Sequence, residues 1–179
     1  MIIEFELNGR VVTREIEPGA TLSTVLRDSS QFSVKHGCAT GDCGACTVLL
    51  DGQPINSCVV AAGRIQGQMV TTLEGLLDDP MMLKLQAALV ECGAVQCGYC
   101  SPGMLITLYA HFIHESDQLN EDSLRHAMTG NLCRCTGYVK HIEAALNVAQ
   151  SMSSNDNHDS VDGNTATEAP SASNNLEGK

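Results

Sequence analysis

Nine cysteines dominate the chemistry available to this 179-residue chain: Cys38, Cys43, Cys46, Cys58, Cys92, Cys97, Cys100, Cys133 and Cys135. Eight of them fall into two sets of four. The first is a C-x4-C-x2-C run, Cys38-Ala-Thr-Gly-Asp-Cys43-Gly-Ala-Cys46, completed by Cys58. The second joins Cys97-Gly-Tyr-Cys100 to Cys133-Arg-Cys135 across 32 residues. Thiolates are soft metal ligands, and the first spacing is one that holds a [2Fe–2S] cluster. A four-cysteine zinc site is the alternative. Zinc sites, however, typically place a C-x2–4-C pair at each end, whereas Cys58 stands alone and the second set ends in C-x-C. Disulfides would require an oxidising compartment, and an odd cysteine count leaves one thiol over. That one is Cys92, read as a small buried hydrophobe on a helix. The six histidines show no metal spacing. His111 and His114, three apart on one predicted helix, read as surface or satisfied core positions.

The elements that must position the first set form an α+β unit. Ile3, Phe5 and Leu7 alternate ahead of Asn8-Gly9, a two-residue turn that fits strand twist. With Leu7 opposite Arg10, Phe5 faces Val12 and Met1 faces Ile16. Thr21 caps a short helix presenting Leu22, Val25 and Leu26. A cysteine loop over 36–46 follows, in which Gly41 and Gly44 let the backbone wrap tightly. Thr47–Leu50, the Asp51-Gly52 turn and a return over Gln53–Val60 make a second hairpin. Its register opposes Ala45 to Cys58, which brings Cys58 back beside Cys46. Val70–Leu73 supplies a last strand.

From about residue 79 the apolar period becomes helical. Met82, Leu85 and Leu89 mark one helix, and Met104, Leu105, Leu108 and Phe112 a second that starts with Ser101 as N-cap and Pro102 at its first position. Leu124 and Met128 mark a third after Asn120, and Tyr138, Ile142, Ala145 and Ala149 a fourth. If neighbouring helices run antiparallel, Cys97/Cys100 and Cys133/Cys135 meet at one end of the bundle. Helix N-termini there favour negative thiolate charge.

The 10 basic and 21 acidic residues give a net charge of −11, and aromatics are 3% with no Trp. Both features exclude a nucleic-acid binder, which needs clustered cations and stacking platforms. No window reaches the length of a membrane span, and MIIEFELNGR shows no signal peptide. Residues 151–179, rich in Ser, Asn and acids, bury too little to order and read as a disordered tail.

GCATGDCGACTVLLDG (37–52), INSC (55–58), GAVQCGYCSPGM (93–104) and GNLCRCTGY (130–138) together resemble the iron–sulfur subunit of the molybdenum hydroxylases, the xanthine dehydrogenase family. The resemblance covers about residues 1–150. It implies an N-terminal β-grasp [2Fe–2S] ferredoxin-like domain over 1–76, an all-α four-helix-bundle [2Fe–2S] domain over 77–150, and the tail over 151–179. It implies that Cys38, Cys43, Cys46 and Cys58 hold the cluster nearer FAD, and Cys97, Cys100, Cys133 and Cys135 the one nearer molybdenum. It places Gln96 and Cys135 against the pterin, and Arg134 where a cation would raise the bundle cluster's potential. The function it implies is relay of electrons from a molybdopterin large subunit to an FAD medium subunit, during hydroxylation of an N-heterocycle such as a purine, or of an aldehyde. No residue of this chain would then be catalytic. The expected assembly is a heterotrimer or a dimer of heterotrimers, cytoplasmic because the twin-Arg signal of periplasmic relatives is not seen. A free-standing ferredoxin and a zinc-stabilised interaction module are the competing readings. The substrate and the final electron acceptor are not written in this chain.

Overall fold

The computed structural model describes residues 1–156. Strands β1 (Ile2–Leu7) and β2 (Arg10–Glu15) pair in the expected register, Leu7 with Arg10 and Phe5 with Val12. Asn8 and Gly9 both take positive φ, as a tight hairpin turn of matching twist requires. Ile3, Phe5 and Leu7 point inward and are buried against α1 (Leu22–Asp28), whose Leu22, Val25 and Leu26 complete this core. Burying each such side chain stabilises the fold by roughly 1.5–3 kcal/mol. Thr21 caps α1 by accepting a hydrogen bond from the Thr24 amide.

The second hairpin, β3 (Thr47–Leu50) and β4 (Gln53–Asn56), turns at Asp51-Gly52, both at positive φ. The ladder stops at Thr47–Asn56, short of the expected return to Val60. The Ser57 amide still bonds to the Cys46 carbonyl in the hairpin register, at 3.3 Å, and the Ser57 hydroxyl bonds to the same carbonyl at 2.7 Å. Residues Ser57–Val59 then form a 3-10 turn that carries Cys58. Ala45 is therefore not opposite Cys58 in a ladder, although Cys58 still returns beside Cys46. The last strand, β5 (Met69–Thr71), lies between β1, to which it is parallel, and β3, to which it is antiparallel. The sheet order is β2-β1-β5-β3-β4. Leu73 falls in a following 3-10 turn rather than in the strand.

That turn is fastened back onto the first domain. The Glu74 carboxylate accepts from the Ser33 amide at 2.8 Å and the Ser33 hydroxyl at 2.5 Å. Burial alone would raise its pKa, but these bonds and one from Thr72 outweigh it and hold the carboxyl below its usual range.

Four helices follow: α2 (Pro80–Glu91), α3 (Ser101–His114), α4 (Glu121–Ala127) and α5 (Val139–Asp156). Asp79 caps α2, accepting from the Met81 and Met82 amides, with Pro80 at its first position. Asn120 and Ser123 form a capping box for α4. At α3 the expected cap is displaced by one residue. Cys100 is the N-cap, in helical backbone and without a side-chain cap bond, so Ser101 and Pro102 are the first two helical residues. Helix α5 runs past the expected boundary at 150 to Asp156. Met152 packs on the bundle core, and the Ser151 hydroxyl bonds back to the Val148 carbonyl at 2.7 Å. The remainder of the expected tail, 157–179, lies outside the described residues. Among the described residues, no helix is long and apolar enough to cross a membrane.

Candidate metal centres

Cys38, Cys43, Cys46 and Cys58 line one cavity of about 210 Å³ between the cysteine loop and the start of α1. The loop is wound around a sulfur. The amides of Thr40, Asp42 and Cys43 all donate to Cys38 Sγ, at 3.4, 3.3 and 3.4 Å. Side-chain bonds then fasten the loop to the hairpin, with Asn56 Nδ2 donating to the Gly41 carbonyl at 2.6 Å and the Thr47 hydroxyl to the Gly44 carbonyl at 2.7 Å. The electrostatics of the four thiols diverge. The Thr40 side chain, then the Thr40 and Cys43 amides, hold the Cys38 thiol down at about 5. Burial, with Cys46 alongside, pushes Cys58 up to about 11. Crowded thiols that cannot all ionise alone are a donor set that a cationic centre completes, because it favours every thiolate at once.

The second set also assembles. Cys135 Sγ lies 3.6 Å from Cys97 Sγ, and both residues are exposed. Cys100 and Cys133 sit half-buried against the bundle core. Burial, then the neighbouring Cys133, pushes the Cys100 thiol up to about 12. Burial would also raise Cys133, but hydrogen bonds from the Thr136 hydroxyl and amide and the Cys135 amide win, and its pKa is lowered. Cys135 is raised, chiefly by its bond to Cys97. The Cys133 amide donates to the Tyr138 hydroxyl at 2.9 Å, which pins the 133–138 loop to the head of α5. None of the nine cysteines is in a disulfide. Among the described residues, no three His, Cys, Asp or Glu side chains stand close enough to grip one metal ion. Four thiols around one cavity are a donor set that fits an iron–sulfur centre.

The two sets are joined backbone to backbone. The Leu132 amide, next to Cys133, donates to the Cys43 carbonyl at 2.9 Å. Asn131 Nδ2 donates to the Gly44 carbonyl at 3.2 Å, and the Tyr99 hydroxyl to the His36 carbonyl at 2.5 Å. His114 Nε2 pairs with the Gly52 carbonyl and His111 Nε2 with the Ser123 hydroxyl, at 2.9 and 3.3 Å, so both histidines are satisfied as expected. Cys92 ends α2, half-buried on the core, with its sulfur accepting from Asn147 Nδ2 at 3.4 Å. Gln96 and Arg134 are exposed, each beside an exposed cysteine.

His141 is the residue that the sequence reading passed over. It is fully buried, with 0% exposure. Its Nδ1 lies 3.2 Å from Thr136 Oγ1, and its Nε2 has no hydrogen-bond partner among the described residues. The sequence signal was its place in the apolar stripe His141, Ala145, Val148, Met152. Burial holds its pKa below the ordinary histidine range. The unfolded chain therefore takes up a proton, at about pH 6.5, that the folded chain refuses. This stability is complete above that pH and is lost as the pH falls through the folded-state value. The melting temperature of the wild type is expected to fall more on acidification from about pH 7.5 to about pH 5.5 than that of His141→Leu. Equal falls would show that His141 protonates as readily inside the protein as outside.

Residues 5–73 match the model of a 2Fe-2S iron-sulfur cluster binding domain, and residues 72–146 that of a [2Fe-2S] binding domain. The chain is 45% identical, over 148 residues, to the nicotinate dehydrogenase small FeS subunit of Eubacterium barkeri, covering 82% of this chain and 93% of that one. It is 40% identical, over 145 residues, to the xanthine dehydrogenase iron-sulfur-binding subunit of Escherichia coli O157:H7, covering 80% and 91%. A chain of quinoline 2-oxidoreductase from Pseudomonas putida 86 superimposes with a TM-score of 0.77 at 35% identity, covering 86% of this chain and 96% of that one.

Proposed function

Because the chain belongs to the [2Fe–2S] iron–sulfur subunits of the molybdenum hydroxylase, or xanthine dehydrogenase, family, we propose that Cys38, Cys43, Cys46 and Cys58 hold one cluster and Cys97, Cys100, Cys133 and Cys135 the other. The protein is an electron-transfer subunit of a multi-subunit, molybdenum-dependent oxidoreductase, and larger partner subunits go with it. When bound, each cluster supplies one-electron storage at a potential set by its ligands and their hydrogen bonds. The observation that carries the reading is that two complete four-thiol sets stand on either side of one hydrogen bond, from the Leu132 amide to the Cys43 carbonyl.

The chain's own residues then do two things. Amides of Thr40, Asp42 and Cys43 aimed at Cys38 Sγ stabilise negative charge on the first set. The junction bonds at Asn131, Leu132 and Tyr99 hold the two sets at a fixed separation. The finer assignments are part of the same proposal. The exposed group Gln96, Cys97 and Cys135 faces the molybdopterin of a large subunit, and the Cys38 side faces the FAD of a medium subunit, in a heterotrimer or a dimer of heterotrimers. Nine free thiols suit a reducing compartment, so the location proposed is cytoplasmic. The substrate class proposed is an N-heterocycle or an aldehyde, bound in the large subunit.

Anaerobically purified protein is expected to carry about four irons and four sulfides, two clusters' worth. On reduction it should give two distinguishable spin-resonance signals. Stoichiometric zinc without sulfide would overturn the assignment.

A further inference from the structure

His141 is buried without charge and without a partner for Nε2 among the described residues, and it stands two hydrogen bonds from a ligand sulfur. Thr136 Oγ1 lies 3.0 Å from Cys133 Sγ and 3.2 Å from His141 Nδ1, and the Tyr138 amide donates to it at 3.4 Å. The proton positions follow from the sulfur outward. A cluster-bound cysteine is a thiolate and has no proton to give, so the Thr136 hydroxyl donates to Cys133 Sγ. Its oxygen can then only accept. One lone pair takes the Tyr138 amide, and the other takes a proton from His141, which must carry that proton on Nδ1. Neutral imidazole has one N–H, so Nε2 is left as a bare lone pair. That is the cheaper group to leave unpaired in a core, since orphaned acceptors are commoner than orphaned donors. The orphaned nitrogen and the polarity of the chain thus explain each other.

Resting on the assignment of Cys133 as a ligand, we propose that His141 is a positioning residue: through Thr136 it fixes the direction of the hydrogen bond to Cys133 Sγ and so raises the reduction potential of the bundle cluster. A hydrogen bond to a ligand sulfur favours the more negative, reduced cluster. With His141 donating, the Thr136 hydroxyl cannot turn its proton away from the sulfur. Without it, the hydroxyl is free to rotate.

The test is a redox titration of the cluster-loaded full-length chain, with spin resonance following each cluster separately. The first cluster serves as internal reference. Thr136→Val is expected to weaken electron uptake by the bundle cluster about tenfold, which is 59 mV for a one-electron couple. His141→Leu should give part of this, about threefold. His141→Asn, whose amide nitrogen can replace Nδ1 as donor, should restore the wild-type value, as Thr136→Ser should for the hydroxyl. The double variant Thr136→Val/His141→Leu should fall no further than Thr136→Val, because the histidine acts through the threonine. An unchanged potential in His141→Leu with full iron, or additivity in the double variant, would overturn the proposal. Nitrogen NMR of the oxidised wild type gives an answer without substitution: a proton on Nδ1 is expected, and one on Nε2 refutes the relay. Cys133→Ala, which leaves no donor atom at that position, separates this from the assignment beneath it. Two intact clusters in that variant would refute the ligand role itself, whatever the His141 variants show.

Discussion

In the assembled complex, Cys43→Ser is expected to leave substrate-driven reduction of the bundle cluster intact and to slow flavin reduction by at least about a hundredfold, about 2.7 kcal/mol in barrier. Cys43 occupies a tight position. Its sulfur lines the first thiol cavity, and a Cβ added at Gly37 would lie 2.5 Å from it. Serine is a harder, shorter donor than a thiolate, so the first cluster should be lost or shifted to lower potential. The Cys43 carbonyl that accepts from Leu132 is a backbone group and is kept, so the bundle set remains anchored. Iron should therefore fall to about two per chain, one cluster's worth, and not to zero. Rapid mixing with substrate, following flavin and cluster absorbance separately, reads both effects. Flavin reduction at the wild-type rate, with the first cluster gone, would place the route to the flavin elsewhere.

What could be read from the sequence was whatever depends on neighbours in the chain. Asn8-Gly9 and Asp51-Gly52 set two hairpin registers because a two-residue turn leaves no freedom in pairing. Both cysteine sets were visible as spacing, and each converges in the structure. What failed depends on contacts between distant segments. β4 stops at Asn56, and the chain turns into the 3-10 segment carrying Cys58 with the Ser57 hydroxyl bonded to the Cys46 carbonyl eleven residues back. α3 begins at Ser101, one residue earlier than expected, because the Cys100 backbone ahead of it is already helical, which leaves the cap position to a cysteine with no side-chain cap bond. Helix α5 continues through a Ser-rich segment because Met152 finds the bundle core, which composition cannot show. Gln96, expected against the pterin, is exposed on its loop, so its amide is open to a partner chain. His141 drew no reading of its own, because the metal-spacing test applied to the histidines does not register a lone histidine in an apolar stripe.

The seam between the two domains is expected to be the least tolerant place in the molecule, and Gly103→Ala should show it. Gly103 lies in the first turn of α3, and a Cβ there would come 2.1 Å from the Gly44 carbonyl oxygen and 3.4 Å from Ala45 Cα. Those are backbone atoms of the loop between Cys43 and Cys46, so no side chain can swing aside. The opposing residue is confined as well. Gly44 has φ +65°, and a Cβ on it would meet the Gly130 carbonyl oxygen at 2.3 Å and Asn131 Nδ2 at 2.5 Å. The loop is thus held between α3 and the 130–132 segment, and relief on one side increases the clash on the other. Overpacking a closed site costs about 1–3 kcal/mol and more where backbone must move. Gly103→Ala should cost about 3 kcal/mol and lower the melting temperature by about 10 °C for a chain of this size. Displacing the loop also stretches the Leu132–Cys43 bond, so magnetic coupling between the two reduced clusters should weaken while iron content holds. Gly130→Ala is the control, because a Cβ there meets nothing within 4 Å and no unusual φ is involved. It should stay within about 0.5 kcal/mol of the wild type. If Gly103→Ala melted like Gly130→Ala and kept the coupling, the close approach at Gly44 would not be what fixes the separation of the two thiol sets. The junction bonds of Asn131, Leu132 and Tyr99 would then have to hold it without that contact.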